Sequence, residues 1–351
     1  MDSADETRPT AYGPPPATGR LRATAEDFRV EEILGFAADG AGSHALLTVE
    51  KRDANTGWVA SQLARVAGVP VRDVGFSGHK DRHAVTVQAY SLPWPVDRPL
   101  EPLREIAGEG YRVVAVERHG RKLRPGSHRA NRFVLRIRDW RGERDAIDAC
   151  LQRIAREGVP NYFGPQRFGR EGSNLRRARE WSMGGTAPRD RMQRTFALSA
   201  ARSHLFNEVL AARVRRNDWQ RPIAGEAVIL DGKRSFFAAP VVDEALLERA
   251  ATLDVHPSGP LPGRGASPAT GEALVVEGRA LVGEPALVDL CRSEGLEHER
   301  RSLRLPVREC AWSFEDDALR LEFTLGRGAF ATAVLHELLA DAWDAGEGGE
   351  D

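Results

Sequence analysis

Cysteine is scarce in this chain. Cys150, Cys291 and Cys310 are the only three, odd in number, far apart and without a CxxC spacing. Neither a disulfide framework nor a zinc knuckle is therefore expected, and reduced, partly buried thiols are. Long apolar runs are missing too: nothing approaches the roughly 18–20 residues that a membrane-crossing helix requires, so we expect a soluble, cytoplasmic protein with no membrane partner. Residues 1–20 mix acids with a Pro/Gly run from Gly13 to Gly19. Lacking a basic leader and an apolar stretch, they read as a flexible lead-in and not as a signal peptide. The glycines at Gly40–Gly42 and Gly326–Gly328 do not follow the strand-to-helix GxGxxG pattern, and no GxxxxGK[ST] loop occurs, so no nucleotide cofactor is implied. His79, His83, His119 and His128 form no metal-ligating pattern on a helix, and no metal is expected. Ser77 and Ser173 sit in glycine-containing loops but neither makes a GxSxG elbow.

Net charge is also nearly absent, at −1 from 50 bases and 51 acids. Its distribution matters more than its sum. Between Arg112 and Arg138 the chain carries Arg112, Arg118, Arg121, Lys122, Arg124, Arg129, Arg132, Arg136 and Arg138 against the single acid Glu117. A second cluster runs from Arg167 to Arg179, and acids gather in the last third. Both clusters flank aromatics, Phe133 in the first and Tyr162, Phe163 and Phe168 in the second. Such runs suit a groove for nucleic acid, although solvated faces and genome composition give the same pattern. With 351 residues and 41% apolar content, the chain can bury a core in two domains, or in one domain carrying a large insertion.

Local patterning alternates strand and helix. Phe28–Leu34 and Ala45–Glu50 read as strands joined through the glycine turn Asp39–Gly42, hence as a pair. Trp58, Val59, Leu63 and Val66 recur at helical spacing, with Thr56 placed as N-cap and Gly68 at the end. A loop at Ser77–Arg82 precedes a strand over Ala84–Leu92. Tyr111–Val116 and Phe133–Ile137 are further strands around the basic loop Arg118–Arg132, too long to be a plain turn. Glu143–Glu157 has a helical period, and a last strand–helix unit spans Leu319–Thr324 and Ala331–Leu339.

One loop stands out chemically. Gly75-Phe-Ser-Gly-His-Lys-Asp-Arg-His sets Asp81 between Lys80 and Arg82 just before a strand. Neighbouring cations orient a carboxylate, which an acid acting as base or nucleophile needs. Taken alone, a Lys-Asp-Arg turn is more often a solvated loop. Several separated segments change that balance. Phe76–Gln88 (FSGHKDRHAVTVQ), Lys122–Phe133 (KLRPGSHRANRF), Asn161–Asn174 (NYFGPQRFGREGSN), Leu198–Asn207 (LSAARSHLFN), Asp254–Gly259 and Gly328–Leu339 (GAFATAVLHELL) together resemble, in order, the motifs of the TruD-type tRNA pseudouridine synthases. The resemblance covers nearly the whole chain after residue 20. It departs in the opening motif Arg22–Phe28, where the family usually has Lys in place of Arg22 and Pro in place of Ala25.

The resemblance implies an α+β fold: a curved, mixed but mainly antiparallel sheet forming a catalytic domain over residues 21–157 and 306–351, interrupted by an α/β insertion over residues 158–305. It implies isomerisation of a uridine in tRNA, usually position 13 in the D-arm, to pseudouridine, by a monomer without cofactor. Asp81 would be the catalytic carboxylate. Phe133 would stack on the uracil, or else belong to a strand core; Asn131 would face the Watson–Crick edge, or else be a turn residue. Phe28 and Phe330 fall on aromatic positions of the substrate pocket, with Phe330 brought near Asp81 by the C-terminal segment. Arg22 or Lys80 would be the cation paired with Asp81. A catalytically silent RNA-binding module and a glycosidic hydrolase are the rival classes; the hydrolase would need a second carboxylate.

Overall fold

The computed structural model describes residues 8–340. These pack as two compact units, a sheet unit of residues 19–141 and 308–328 and a helical unit of residues 8–18, 142–307 and 329–340. The chain thus leaves the sheet unit earlier than the 157/158 boundary expected from sequence, ahead of the helix Arg144–Glu157.

In the sheet unit the labelled elements are β1 (Phe28–Ile33), β2 (His44–Arg52), α1 (Thr56–Ala67), β3 (Val85–Pro93), β4 (Tyr111–His119), β5 (Ala130–Gly142), β6 (Arg308–Phe314) and β7 (Ala318–Gly326). They run side by side in the order β6-β7-β5-β1-β3-β2-β4. Every adjacent pair is antiparallel except β1 with β3, which is parallel. The fold is therefore α+β with a mainly antiparallel sheet, as expected. The hairpin expected between the first two strands does not form, because β3 lies between them. The intended turn is spent elsewhere: Gly40 N–H donates to Arg118 O, and the Asp39 carboxylate accepts from Gly120 N–H.

Alternation explains which side of the sheet is dry. Along β2, Ala45, Leu47 and Val49 point into a core completed by Val59 and Leu63 of α1 and by Tyr90 and Leu92 of β3. Fully burying each of the larger aliphatic side chains stabilises by roughly 1.5–3 kcal/mol. α1 ends at Gly68 in the left-handed region, φ 71°, where a Cβ would be strained. Its N-cap is Asn55 and not Thr56; the Thr56 hydroxyl is engaged by the loop described below.

The helical unit is organised by α4 (Arg191–Arg215), 25 residues capped by Asp190, which accepts from Gln193 N–H. One of its faces packs Leu198, Ala201 and Leu205 against Ala178 of α3 (Ser173–Ser182) and Leu287 and Leu290 of α5 (Pro285–Ser293). Another packs Phe206, Leu210 and Val214 against Tyr162, Phe163, Trp219 and Leu303. The remaining labelled helices are α2 (Arg144–Glu157) and α6 (Ala331–Leu338). At the end of α4, Arg213 is buried between Asp218 at 2.7 Å and Glu226 at 2.8 Å, tying the helix to the strand Glu226–Leu230. Cys150, Cys291 and Cys310 are unpaired, and burial raises each thiol above its ordinary range.

Candidate active site

The loop before β3 is pinned from several elements at once. Ser77 O accepts from Gly126 N–H at 2.6 Å. Gln88 Nε2 donates to Gly78 O at 3.2 Å, while its Oε1 accepts from the Thr56 hydroxyl at 2.9 Å. That same hydroxyl accepts from Lys80 N–H at 3.0 Å, which is why Thr56 does not cap its helix. Lys51 Nζ donates to Asp81 O at 2.7 Å. Side chains from β2, α1 and β3 thus fix the backbone of a loop that has no regular structure of its own, the arrangement by which a reactive group is placed accurately.

The Asp81 carboxylate accepts from Arg22 Nη2 at 2.6 Å. Arg22 is positioned from below by Phe28, whose ring centre lies 4.0 Å from the guanidinium carbon. The Phe28 ring meets Phe133 edge-on at 6.2 Å, and Phe133 stacks on Phe323 at 5.3 Å. A line of contacts therefore runs from the strand core to the carboxylate. Arg22 also adopts φ 53°, a conformation that costs a residue with a Cβ on the order of 1 kcal/mol and persists where the surroundings enforce it. Beside this pair opens a cleft of about 400 Å³ lined by Arg22, Thr24, Arg52, Asp53 and His83.

Of the two cations expected beside Asp81, Arg22 is the one in contact. Lys80 turns inward to Glu32 at 2.7 Å, and both of those side chains are buried. Asn131 and Phe133 lie on β5, in register with Glu32 and Val30 of β1. Both are buried. Asn131 keeps its carboxamide oxygen without a donor, a buried acceptor left open. Phe330 is placed differently: it belongs to the helical unit, where it precedes α6 with its ring exposed.

Lys51 went unrecognised as a site residue from sequence, although alternation along β2 puts it on the same face as Ala45, Leu47 and Val49. It is 1% exposed. Burial pushes its ammonium down from 10.5 to about 8, against the opposing pull of Asp81. Between these values the unfolded chain holds the extra proton, so this group's contribution to stability rises with pH across that window. The field at Asp81 changes in the other direction, since the neutral amine no longer supplies positive charge beside the loop. We expect single-turnover conversion to slow as pH rises through about 8. The slowing should disappear in Lys51→Arg, whose guanidinium stays charged. A fall of equal size in both proteins would remove Lys51 from the explanation.

The basic run 112–138 is less available than its sequence suggests. Arg112 pairs with Glu50, Arg132 with Glu31 and Glu322, Arg136 with Glu315, and Arg138 with Asp27 and Asp317. Arg118 is spent on the carbonyls of Trp94, Pro95, Val96 and Arg98. Of the loop's other bases, Arg121, Lys122 and Arg124 line a separate cleft of about 710 Å³ together with Phe36 and His119.

This fold is shared with a solved structure. A crystal structure of a Methanosarcina mazei protein, described as "Putative tRNA pseudouridine synthase D (TruD)", matches it with a TM-score of 0.75 over 97% of this chain and 98% of that one, at 19% identity. Sequence goes beyond the fold: the family model for tRNA pseudouridine synthase D (TruD) matches residues 8–181 and 173–338. Two proteins named tRNA pseudouridine synthase D are similar over nearly their whole length. The one from Nitrosococcus oceani is 47% identical over 94% of this chain and 93% of its own, and the one from Pseudomonas putida W619 is 45% identical over 94% of each. The chain belongs to the TruD family of tRNA pseudouridine synthases, isomerases of uridine in tRNA.

Proposed function

We propose that this chain converts the uridine at position 13, in the D-arm of tRNA, into pseudouridine, with the Asp81 carboxylate as the reacting group and without a cofactor. The observation that carries the assignment is the clamp on Asp81: a pinned loop backbone, and one arginine holding the carboxylate at 2.6 Å beside an open cleft. The reaction breaks the N1–C1′ bond, turns the base and forms C5–C1′, while the proton on C5 is replaced by one on N1. Atoms and electrons balance with neither an oxidant nor an energy source. What it needs is a carboxylate near C1′ and C2′, a flipped-out nucleotide and a pocket that retains the free base.

The roles of the neighbours follow from their chemistry. The open Asn131 oxygen suits the N3–H of uracil, and its amide nitrogen suits a carbonyl of the same edge. Phe133, buried between Phe28 and Phe323, would offer the base only the part of its ring that those contacts leave uncovered. Phe28 acts through Arg22. Lys80 acts by anchoring the loop to Glu32. Phe330 offers an exposed ring, and its assignment to the substrate rests on the motif alone. Catalysis belongs to the sheet unit, and the helical unit serves to hold tRNA. The enzyme works as a monomer in the cytoplasm.

Mapping pseudouridines in tRNA from cells with and without the protein tests this reading. The expected result is loss of the position-13 modification in a subset of tRNAs and of no other. Release of free uracil from RNA by the purified protein would instead indicate glycosidic hydrolysis, with Asp53, which lines the cleft beside Arg22, as the second carboxylate.

A further inference from the structure

Two of the family-like segments are not used by the chemistry at Asp81, and both meet in the helical unit around Phe163. Asn207 on α4 accepts from Phe163 N–H and donates to Phe163 O, each at 3.0 Å. Asn161 N–H donates to Leu303 O at 2.8 Å, and its side chain donates to Ser302 O at 2.8 Å. These bonds lock the backbone on either side of the Phe163 ring, which packs edge-on against Phe206 at 5.5 Å. The ring is a fixed platform.

Two guanidinium groups are laid against it. The Arg301 carbon Cζ lies 4.1 Å from the ring centre and that of Arg167 5.2 Å, so the two cations can be no farther apart than the sum of those distances. Like charges at this separation repel, and bringing a guanidinium out of water is costly unless something compensates. Among the described residues neither arginine has a carboxylate within ion-pair distance; their polar contacts are with the neutral Asn161 and Ser199. Arg301 donates to Asn161 Oδ1 at 2.6 Å and Arg167 to Ser199 Oγ at 3.2 Å. Arg301 Nε is buried with no acceptor at all. Burial, then the charge of Arg167, pulls Arg301 down to about 10, whereas an arginine with an acidic partner is pulled the other way, as Arg213 is. Arg167 is exposed, so the pair opens to the surface.

The contrast with the carboxylate-paired arginines, and with Arg118 and Arg304, whose guanidinium groups are spent on carbonyls, is what gives this pair meaning. Arg112, Arg132, Arg136, Arg138 and Arg213 all have carboxylates; Arg167 and Arg301 are held on a rigid ring without one. Planar donor forks left open in this way match a phosphate oxyanion. We propose that Arg167 and Arg301, presented on Phe163, form a binding site for a phosphate of the RNA backbone. The proposal rests on the reading of the chain as a tRNA-binding enzyme, and it gives the helical unit a defined contact with the substrate.

Affinity for an unmodified tRNA transcript, measured with the full chain at a series of salt concentrations, tests it. Each phosphate contact contributes about 0.7–0.9 to the slope of log affinity against log salt. Arg167→Gln and Arg301→Gln should each lower that slope by about one contact and weaken low-salt binding roughly tenfold. Arg301→Lys should recover part of both, because it restores the charge but not the fork. Because Arg301→Gln removes packing on Phe163 and could misfold, the exposed Arg167→Gln carries the test by itself. An unchanged salt slope in folded Arg167→Gln, whatever its melting temperature, overturns the site. The outcome separates from that of the proposed reaction: a reduced slope in a protein that makes no pseudouridine leaves the phosphate site standing and removes the activity, and an active enzyme with an unaltered slope does the reverse.

Discussion

Asp81→Asn should abolish pseudouridine formation while leaving the protein folded and its tRNA affinity close to that of the parent. Asparagine is nearly isosteric and keeps an acceptor oxygen facing Arg22 Nη2. The contacts that define the loop do not depend on the carboxylate at all: Lys51 binds the Asp81 carbonyl, Thr56 the Lys80 amide, and Gln88 the Gly78 carbonyl. What disappears is the negative charge, and with it the nucleophilicity or basicity on which attack at C1′, addition to the base and removal of a ribose proton all depend. Single-turnover conversion at saturating enzyme should fall by about 10⁴-fold or more, the order found when an essential nucleophile or its orienting partner is altered. If Asp81 served only to partner Arg22, the substitution would cost about 0–1 kcal/mol, as for a partly exposed ion pair, and turnover would persist. Appreciable pseudouridine from a folded Asp81→Asn protein would falsify the assignment of this carboxylate.

The reactive loop was legible in sequence because its signal is local: a carboxylate among cations in a short segment before a strand, repeated in a family-like motif. Strands with clean alternation were legible for the same reason, and β1, β3 and β7 fall within a few residues of expectation. What could not be read was pairing across the sheet. The parallel contact of β1 with β3 places β1 beside the loop's exit into β3, and nothing in either strand announces it. Part of the basic run was illegible for a related reason: Arg112, Arg132, Arg136 and Arg138 are neutralised by Glu50, Glu31, Glu315, Asp27 and Asp317, which lie far off in sequence and come close only through strand register. Lys51 was hidden differently. Its alternation was visible, but a lysine at the end of a strand reads as a solvated residue until its partner, a backbone carbonyl, is known.

The substitution that separates position from charge is at Arg22. Removing its side chain leaves Asp81 ionisable and the loop backbone pinned, so only the placement of the carboxylate is lost. Misplacement of a reacting group by about 1 Å can cost on the order of 100-fold, and Arg22→Met should slow single-turnover conversion by about that factor with little change in tRNA affinity. Arg22→Lys should stay within about tenfold of the parent: an ammonium can reach the same oxygen as a point charge, yet it loses the planar stacking on Phe28 that fixes the guanidinium at 4.0 Å. Arg22→Gly distinguishes a catalytic role from a structural one. The backbone there has φ 53°, so glycine removes strain of roughly 1 kcal/mol that offsets much of the lost ion pair and ring contact. A purely structural arginine replaced in this way would leave a protein as stable and as active as before. For an arginine that positions Asp81, melting should be nearly unchanged while conversion falls as far as in Arg22→Met. Equal rates for the Gly, Met and Lys variants, all close to the parent, would show that Asp81 finds its place without Arg22.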